Sequence, residues 1–419
     1  VRHLPTWVRE HRIKAAVDKG ARQAVVVGAG FIGLELVENF VQRGIATSVV
    51  ELQEQVLPQL DKELTTPLTQ ALVEQGVALH LGETVDGFEK GPRGIKVHLK
   101  SGGQLTAQIV ALGIGVRPEN RLAVDAGLKV GKRGGSQGNE FLQTSDEDVY
   151  AVGDAIEVTD FVLGTPTQVP LAGPANRQGR IAADNALGRS QRYRGTHCTA
   201  VVGMFDQTAA MTGASEKVLR RAGRAYEKVY VHPRHHAGYY PGAEPMTLKL
   251  LFGPESGKIL GAQAVGQRGV DKRIDVLAAA IQAGMTVFDL EEMELAYAPQ
   301  YGSAKDPINM AGFVAAGLLR GDHPQIAVET LMAQPLGRRP AVVDVRTREE
   351  FVDGHIPGAI HIPVDELRGR LHELPAGKDV VAYCQVGQRG YVATRILLQN
   401  GYEAANMGGG YKTYRLFCS

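Results

Sequence analysis

A chain of 419 residues is too long for one hydrophobic core and calls for two to four domains. Lys and Arg total 46 against 45 Asp and Glu, a formal charge of +1 with no run of basic residues, which gives no electrostatic field for nucleic acid. Apolar residues make up 44% of the chain but never run for the roughly 18 residues of a membrane-spanning helix, and three cysteines, Cys198, Cys384 and Cys418, are too few for a disulfide framework, so a soluble globular protein of a reducing, cytoplasmic setting is expected.

Residues 1–20 scatter Trp7, Val8, Ile13 and Val17 among charged residues and read as a helical connector. The first strong signal follows. Val25-Val26-Val27 reads as a buried strand that breaks into Gly28-Ala29-Gly30-Phe31-Ile32-Gly33-Leu34-Glu35 and continues as a helix, with Ile32, Leu36, Val37 and Phe40 at helical spacing until Gly44. In this pattern Gly28 makes the turn, Gly30 lets a pyrophosphate approach the backbone, and Gly33 brings helix and strand together. A second strand, Ile45 to Val50, ends at Glu51, about 20 residues past the glycines, where a carboxylate can accept from a ribose hydroxyl. An amphipathic segment over Leu64 to Glu74, a short buried strand at Val77 to Leu81, a hairpin over Ile95 to Leu112 and the turn Gly113 to Pro118 close this unit.

Thr144 to Asp154 comes next, read as an apolar strand, Val149 to Val152, stopping at Gly153-Asp154. Asp154 is placed either to hold a cofactor hydroxyl or to cap a turn. From about Arg192 the pattern becomes strands joined by turns, Thr199 to Met204, Ala225 to Val231, Met246 to Phe252 and Ile259 to Val265, then a helix through Ile274, Leu277 and Ile281 ended by Gly284. This is an α+β module. His232, His235 and His236 lie within it, without a carboxylate or cysteine at ligand spacing, so no metal site is expected.

A polar stretch from Gly321 to Pro340 marks a boundary, and a small α/β domain follows. Its centre is Tyr383-Cys384-Gln385-Val386-Gly387-Gln388-Arg389-Gly390, a strand end, a cysteine and a glycine-bearing loop before a helix. Successive loop N–H groups and the helix N-terminus suit an anionic sulfur, which makes Cys384 a candidate nucleophile and sulfur carrier. Arg389 either offsets negative charge there or braces the loop, and Asp344, Arg346, Glu350 and His355 are assigned to bracing. Cys198 and Cys418 read as structural.

These residues carry two resemblances. Residues 22–320 resemble the FAD-dependent pyridine nucleotide-disulfide oxidoreductases, in the coenzyme A-disulfide reductase and NADH oxidase branch, through the Gly28 loop, Gly113 to Pro118, Thr144 to Asp154, Gly238-Tyr239-Tyr240-Pro241-Gly242 and Leu295 to Pro307. Residues 341–419 look like a rhodanese, through Asp344-Val345-Arg346, Glu349-Glu350-Phe351, Gly354 to Ala359 and the six-residue loop from Cys384 to Arg389. The implied fold is α/β: a connector at 1–20, a Rossmann-type NAD(P)-binding domain at 21–115, the remaining part of an FAD domain at 116–190, an α+β dimerisation domain at 191–320, a linker at 321–340 and the rhodanese at 341–419.

The resemblance implies FAD and NAD(P)H as cofactors, reduction of coenzyme A disulfide, persulfide or polysulfide, and a sulfurtransferase centred on Cys384 that draws on thiosulfate or glutathione persulfide. Gly28, Gly30, Phe31, Ile32, Gly33, Glu35, Glu51 and Gly113 would bind the nicotinamide dinucleotide, and Gly153 and Asp154 the flavin. With Leu52 and Gln53 after Glu51, and no Arg to meet a 2′-phosphate, NADH is favoured. Tyr239 or Tyr240, with Tyr297, would reach across a homodimer to the sulfur chemistry, where a phenol can donate to a leaving thiolate. Only one such glycine fingerprint occurs, and no cysteine precedes Cys198, so the N-terminal flavin segment is expected to be missing and the chain to be a fragment. The competing readings are a plain NADH oxidase and a non-catalytic NAD-binding and sulfur-carrying module.

Overall fold

β-Branched residues favour extended backbone, and a run of them buried on both faces is typical of a parallel sheet. The run at Val25 to Val27 does this in the strand Gln23–Val27, which pairs in parallel with Ala46–Glu51 on one side and Ile109–Leu112 on the other. The computed structural model describes residues 6–92 and 94–418, so residues 1–5 of the expected connector lie outside it, and Thr6–Asp18 form a helix. The chain folds as two units, the first running to Thr196 and adding Ala200–Thr208, the second holding His197–Thr199 and everything from Ala209 on.

In the first unit a four-stranded parallel sheet carries its strands in the order Ala78–Leu81, Ala46–Glu51, Gln23–Val27, Ile109–Leu112. The connection to its last strand is an antiparallel meander, Val85–Gly91, Gly94–Leu99 and Gln104–Ala107, rather than one hairpin running to Leu112. Val97, Leu99 and Ala107 of the meander pack on Val25, Val27 and Val50 of the sheet. The helix Phe31–Gln42 buries Gly33, Leu34, Val37 and Phe40, while Ile32 is 60% exposed, so the buried stripe is offset from the expected one. Val149 to Val152 form no strand; only Tyr150 bridges Gln143, because the Asp146 carboxylate accepts from Asp148 N–H and turns the chain just before. Leu142, Ile156, Val158 and Ala182 make a small separate core at the base of the helix Ala172–Ala186.

The second unit holds an antiparallel sheet in the order Gln207–Gly213, Ile259–Gly266, Met246–Phe252, Glu227–Val231. Gln207–Gly213 has no counterpart among the expected strands, while Ala200–Met204 is, as expected, the outermost strand of this sheet. The helix Val270–Ala283 ends at Gly284 with φ of 74°, the left-handed cap its position predicts. The last domain is a five-stranded parallel sheet ordered Gln325–Ile326, Ala404–Met407, Val380–Tyr383, Ala341–Asp344, Ile360–His361. Its first strand belongs to the stretch expected to be a linker. Residues 321–340 also hold the helix Val328–Ala333, whose Val328 and Leu331 sit in the core with Val342, Val381 and Tyr383. Apolar content at those positions outweighs the Pro and Gly signals around them.

Candidate active and cofactor sites

The glycine loop lies at the carboxyl ends of Gln23–Val27 and Ile109–Leu112, where the strand order reverses. Gly28 has φ of 100°, and a Cβ there would stand 2.4 Å from the carbonyl oxygen of Gly113. A Cβ on Gly33 would stand 2.0 Å from that of Gly28. Gly113 itself donates to Val27 O at 2.7 Å. These three glycines therefore let two loops and a helix touch. Gly30 differs: a Cβ there would meet nothing nearer than Gln59 Nε2 at 3.8 Å, and as N-cap it supplies no side chain to the 12-residue helix. That open, uncapped N-terminus fits a pyrophosphate.

Phe31 is half-buried, and Ile32 and Glu35 are exposed, on the first turns of this helix. Glu51 is buried, and its carboxylate accepts from Ala29 N–H at 2.7 Å and from Gln53 N–H at 2.8 Å. It braces the glycine loop, so a ribose hydroxyl would share oxygens already bound to backbone. Asp154 is exposed on a short turn opened by Gly153 at φ 68°, whose N–H donates to the buried Gln178 Oε1 at 2.7 Å. An exposed carboxylate on a pinned turn fits the hydroxyl-bearing chain of a flavin.

In the second unit the hydroxyls of Tyr239 and Tyr297 are 2.7 Å apart, with the rings 77% and 48% exposed. The shared hydrogen bond raises the Tyr297 phenol above its usual range. Tyr240 instead turns its ring against His236, at 5.7 Å between centroids. Sequence reading missed what aligns the two tyrosine segments. Arg273, buried, donates to Asp306 Oδ2 at 2.6 Å and to His235 O at 2.8 Å, and Ala237 N–H donates to Gly302 O at 2.8 Å. The Asp306-Pro307 pair, an N-cap followed by proline, was the available signal. Of the three histidines, His232 lies between the hydroxyls of Thr247 and Thr413 at 2.9 and 2.7 Å, His235 meets Glu244 O, and His236 meets Ala237 O.

Cys384 ends the strand Val380–Tyr383 and is 1% exposed. Gly387, at φ 100°, turns its N–H onto Cys384 Sγ at 3.2 Å and caps the helix Gln388–Gln399. Behind the cradle, a Cβ on Gly410 would stand 2.3 Å from Cys384 O, and Tyr411 N–H donates to that oxygen at 2.7 Å. Arg389 is held by Glu350 through two 2.7 Å bonds, and Arg346 pairs with Asp344, donates to Gln385 Oε1 at 3.0 Å and lies over the Tyr411 ring at 4.1 Å. His355 stacks on Phe351 at 3.9 Å. Arg389 of the loop and Arg346 behind it thus each carry a carboxylate partner, and the most exposed loop residues, Val386 and Gln388, are neutral.

The hydrogen bonds from Arg389 hold the Glu350 carboxyl down to about 2, against partial burial. A carboxyl lowered by folding contributes stability above its unfolded pKa, and that contribution is lost as pH falls through the folded value. Glu350→Gln should therefore flatten the acid loss of stability between pH about 4.5 and about 2, which urea titrations at several pH values will measure.

The chain thus joins a glycine loop at the switch point of a parallel sheet to a domain whose recessed thiol faces a backbone N–H. The family profile of the pyridine nucleotide-disulphide oxidoreductases matches residues 4–179, that of their dimerisation domain matches 199–306, and that of the rhodanese-like domain matches 328–416. Coenzyme A disulfide reductase of Staphylococcus haemolyticus is 33% identical over 302 residues, covering 71% of this chain and 67% of the relative. The crystal structure of reduced CoADR-RHD from Bacillus anthracis superposes with a TM-score of 0.94 at 46% identity, covering 99% of this chain and 74% of that one. An NAD-dependent persulfide reductase from A. fulgidus gives 0.88 at 36% identity, covering 96% and 74%. This chain belongs to the pyridine nucleotide-disulphide oxidoreductases, in the coenzyme A disulfide reductase branch, and carries a rhodanese-like domain after its dimerisation domain. The family is one of oxidoreductases that work with a pyridine nucleotide. It spans about two thirds of the length of the curated relatives it matches, 67% and 66% for the first two. Among the described residues no helix is long and apolar enough to cross a membrane.

Proposed function

We propose that the protein uses NADH, through FAD, to reduce coenzyme A disulfide or a persulfide or polysulfide, and that its rhodanese-like domain carries the sulfur on Cys384. When bound, the two cofactors supply hydride and electron-pair transfer. The chain's own residues do the rest. The uncapped helix behind Gly30 takes the pyrophosphate, Glu51 holds the loop beneath it, and Asp154 takes a flavin hydroxyl. Tyr239 and Tyr297 bond hydroxyl to hydroxyl, so the accepting one keeps its own proton free to donate to a departing thiolate from the partner copy of a homodimer.

At Cys384 the thiolate attacks the outer sulfur of a donor such as glutathione persulfide, coenzyme A persulfide or thiosulfate. An S–S or S–sulfite bond breaks, the donor leaves as thiolate or sulfite, and Cys384 is left as a persulfide. An acceptor thiolate then takes the outer sulfur and returns Cys384 to thiolate. The observation that carries this reading is the Gly387 N–H aimed at a fully recessed Sγ. A reducing, cytoplasmic setting is in keeping with a chain whose three cysteines are too few for a disulfide framework.

The test is NADH consumption by the flavin-loaded protein under anaerobic conditions. Turnover that rises with coenzyme A disulfide or persulfide and matches thiol release supports the reading. Turnover that ignores sulfur acceptors and instead tracks oxygen uptake would make it an NADH oxidase.

A further inference from the structure

The geometry points to His323 as a positioning residue for Cys384, acting through Asn406 on the sulfur-binding loop. This rests on the proposed sulfur-carrying role of Cys384. Asn406, at the end of the strand Ala404–Met407, is 1% exposed and places Nδ2 3.0 Å from Gly387 O and 2.9 Å from His323 Nε2. A carbonyl oxygen can only accept, so the amide atom facing it is the nitrogen. The same nitrogen must then donate to His323 Nε2, which puts the ring proton on Nδ1. His323 is therefore needed neutral, as an acceptor. Burial, helped by Arg395, holds it down to about 4, so it is neutral at physiological pH.

The relay is short. His323 fixes the Asn406 amide, Asn406 fixes the Gly387 carbonyl, and Gly387, in a left-handed conformation, aims its N–H at Cys384 Sγ. Four further features place the relay. A Cβ on Gly390 would stand 2.2 Å from Asn406 Oδ1, so only glycine lets the amide lie against the start of the helix. Pro324 O accepts from Asn406 N–H at 2.9 Å, Asp322 O accepts from Arg395 at 3.0 Å, and the Tyr391 ring meets His323 edge-on at 4.6 Å. His323 lies before residue 328, where the rhodanese-like match begins, so the segment that joins the domains supplies the loop's outer brace.

The test follows alkylation of Cys384 by iodoacetamide against pH, read by peptide mass so that Cys198 and Cys418 do not contribute, and persulfide on Cys384 after treatment with glutathione persulfide. His323→Leu, which fills the space without an acceptor, should slow alkylation at neutral pH about tenfold and move the midpoint of the profile upward. His323→Gln, which keeps an acceptor at the same reach, should stay within about threefold of the wild type. Asn406→Ser should reproduce the change, and the double variant His323→Leu/Asn406→Ser should add nothing to either single one. Coincident profiles for His323→Leu and wild type, or additive effects in the double variant, would overturn the inference. Absence of persulfide on wild-type Cys384 would instead overturn the carrier role, with the alkylation profiles still reporting on the relay.

Discussion

Cys384→Ser should lower sulfur transfer from glutathione persulfide or thiosulfate by on the order of a thousandfold or more, as loss of a nucleophile does elsewhere. The substitution changes one atom at a recessed site, so the fold should hold while the chemistry goes. The oxygen cannot form the persulfide that the Gly387 N–H is placed to support. Intact mass should show an added sulfur on the wild type and none on the variant, and cyanide or thiol acceptors should report the rate. NADH turnover with coenzyme A disulfide should change little, because the role proposed for Cys384 is sulfur carriage and not nucleotide binding. Equal transfer by the two proteins would remove Cys384 from the mechanism.

The second large effect separates two glycines of one motif. Gly33→Ala should destabilise the first unit by about 3 kcal/mol or more, since its Cβ would stand 2.0 Å from the Gly28 carbonyl oxygen and only backbone can yield. Gly30→Ala should leave stability within about 1 kcal/mol, because the space above it is open, yet weaken NADH binding by crowding the pyrophosphate. Urea unfolding and NADH titration measure the two quantities independently. A Gly30→Ala protein that binds NADH as well as the wild type would show that the pyrophosphate does not sit on this loop.

Much of this was legible because it is written in local sequence. Val25 to Gly33 declares a strand, a turn and a helix within ten residues, and Gly284 announces a helix end by the conformation only glycine adopts easily. Cys384 with Gly387 and Gly390 marks a tight loop in the same way. What stayed hidden depends on residues far apart in the chain. Glu51 reads as a ribose ligand from its spacing, but folding brings Ala29 N–H to it first. Arg273 and Asp306, 33 residues apart, align the tyrosines, and no periodicity records that pairing. Asn406 and His323 are 83 residues apart and meet because the edge strand Gln325–Ile326, just after His323, pairs alongside Ala404–Met407. The boundary stretch was misread because proline and glycine punctuate structured segments as well as free ones.

That edge strand has a mechanical consequence. A free linker over residues 321–340 would give the rhodanese-like domain a reach of roughly 25 Å, enough for a swinging arm that carries sulfur between centres. Gln325 and Ile326 are instead hydrogen-bonded in parallel to Asn406 and Met407, and Val328 and Leu331 are packed beneath the sheet. The tether has no slack while those bonds hold. Under the proposed carrier role, sulfur leaving Cys384 would have to travel on a diffusing small thiol rather than on a moving domain.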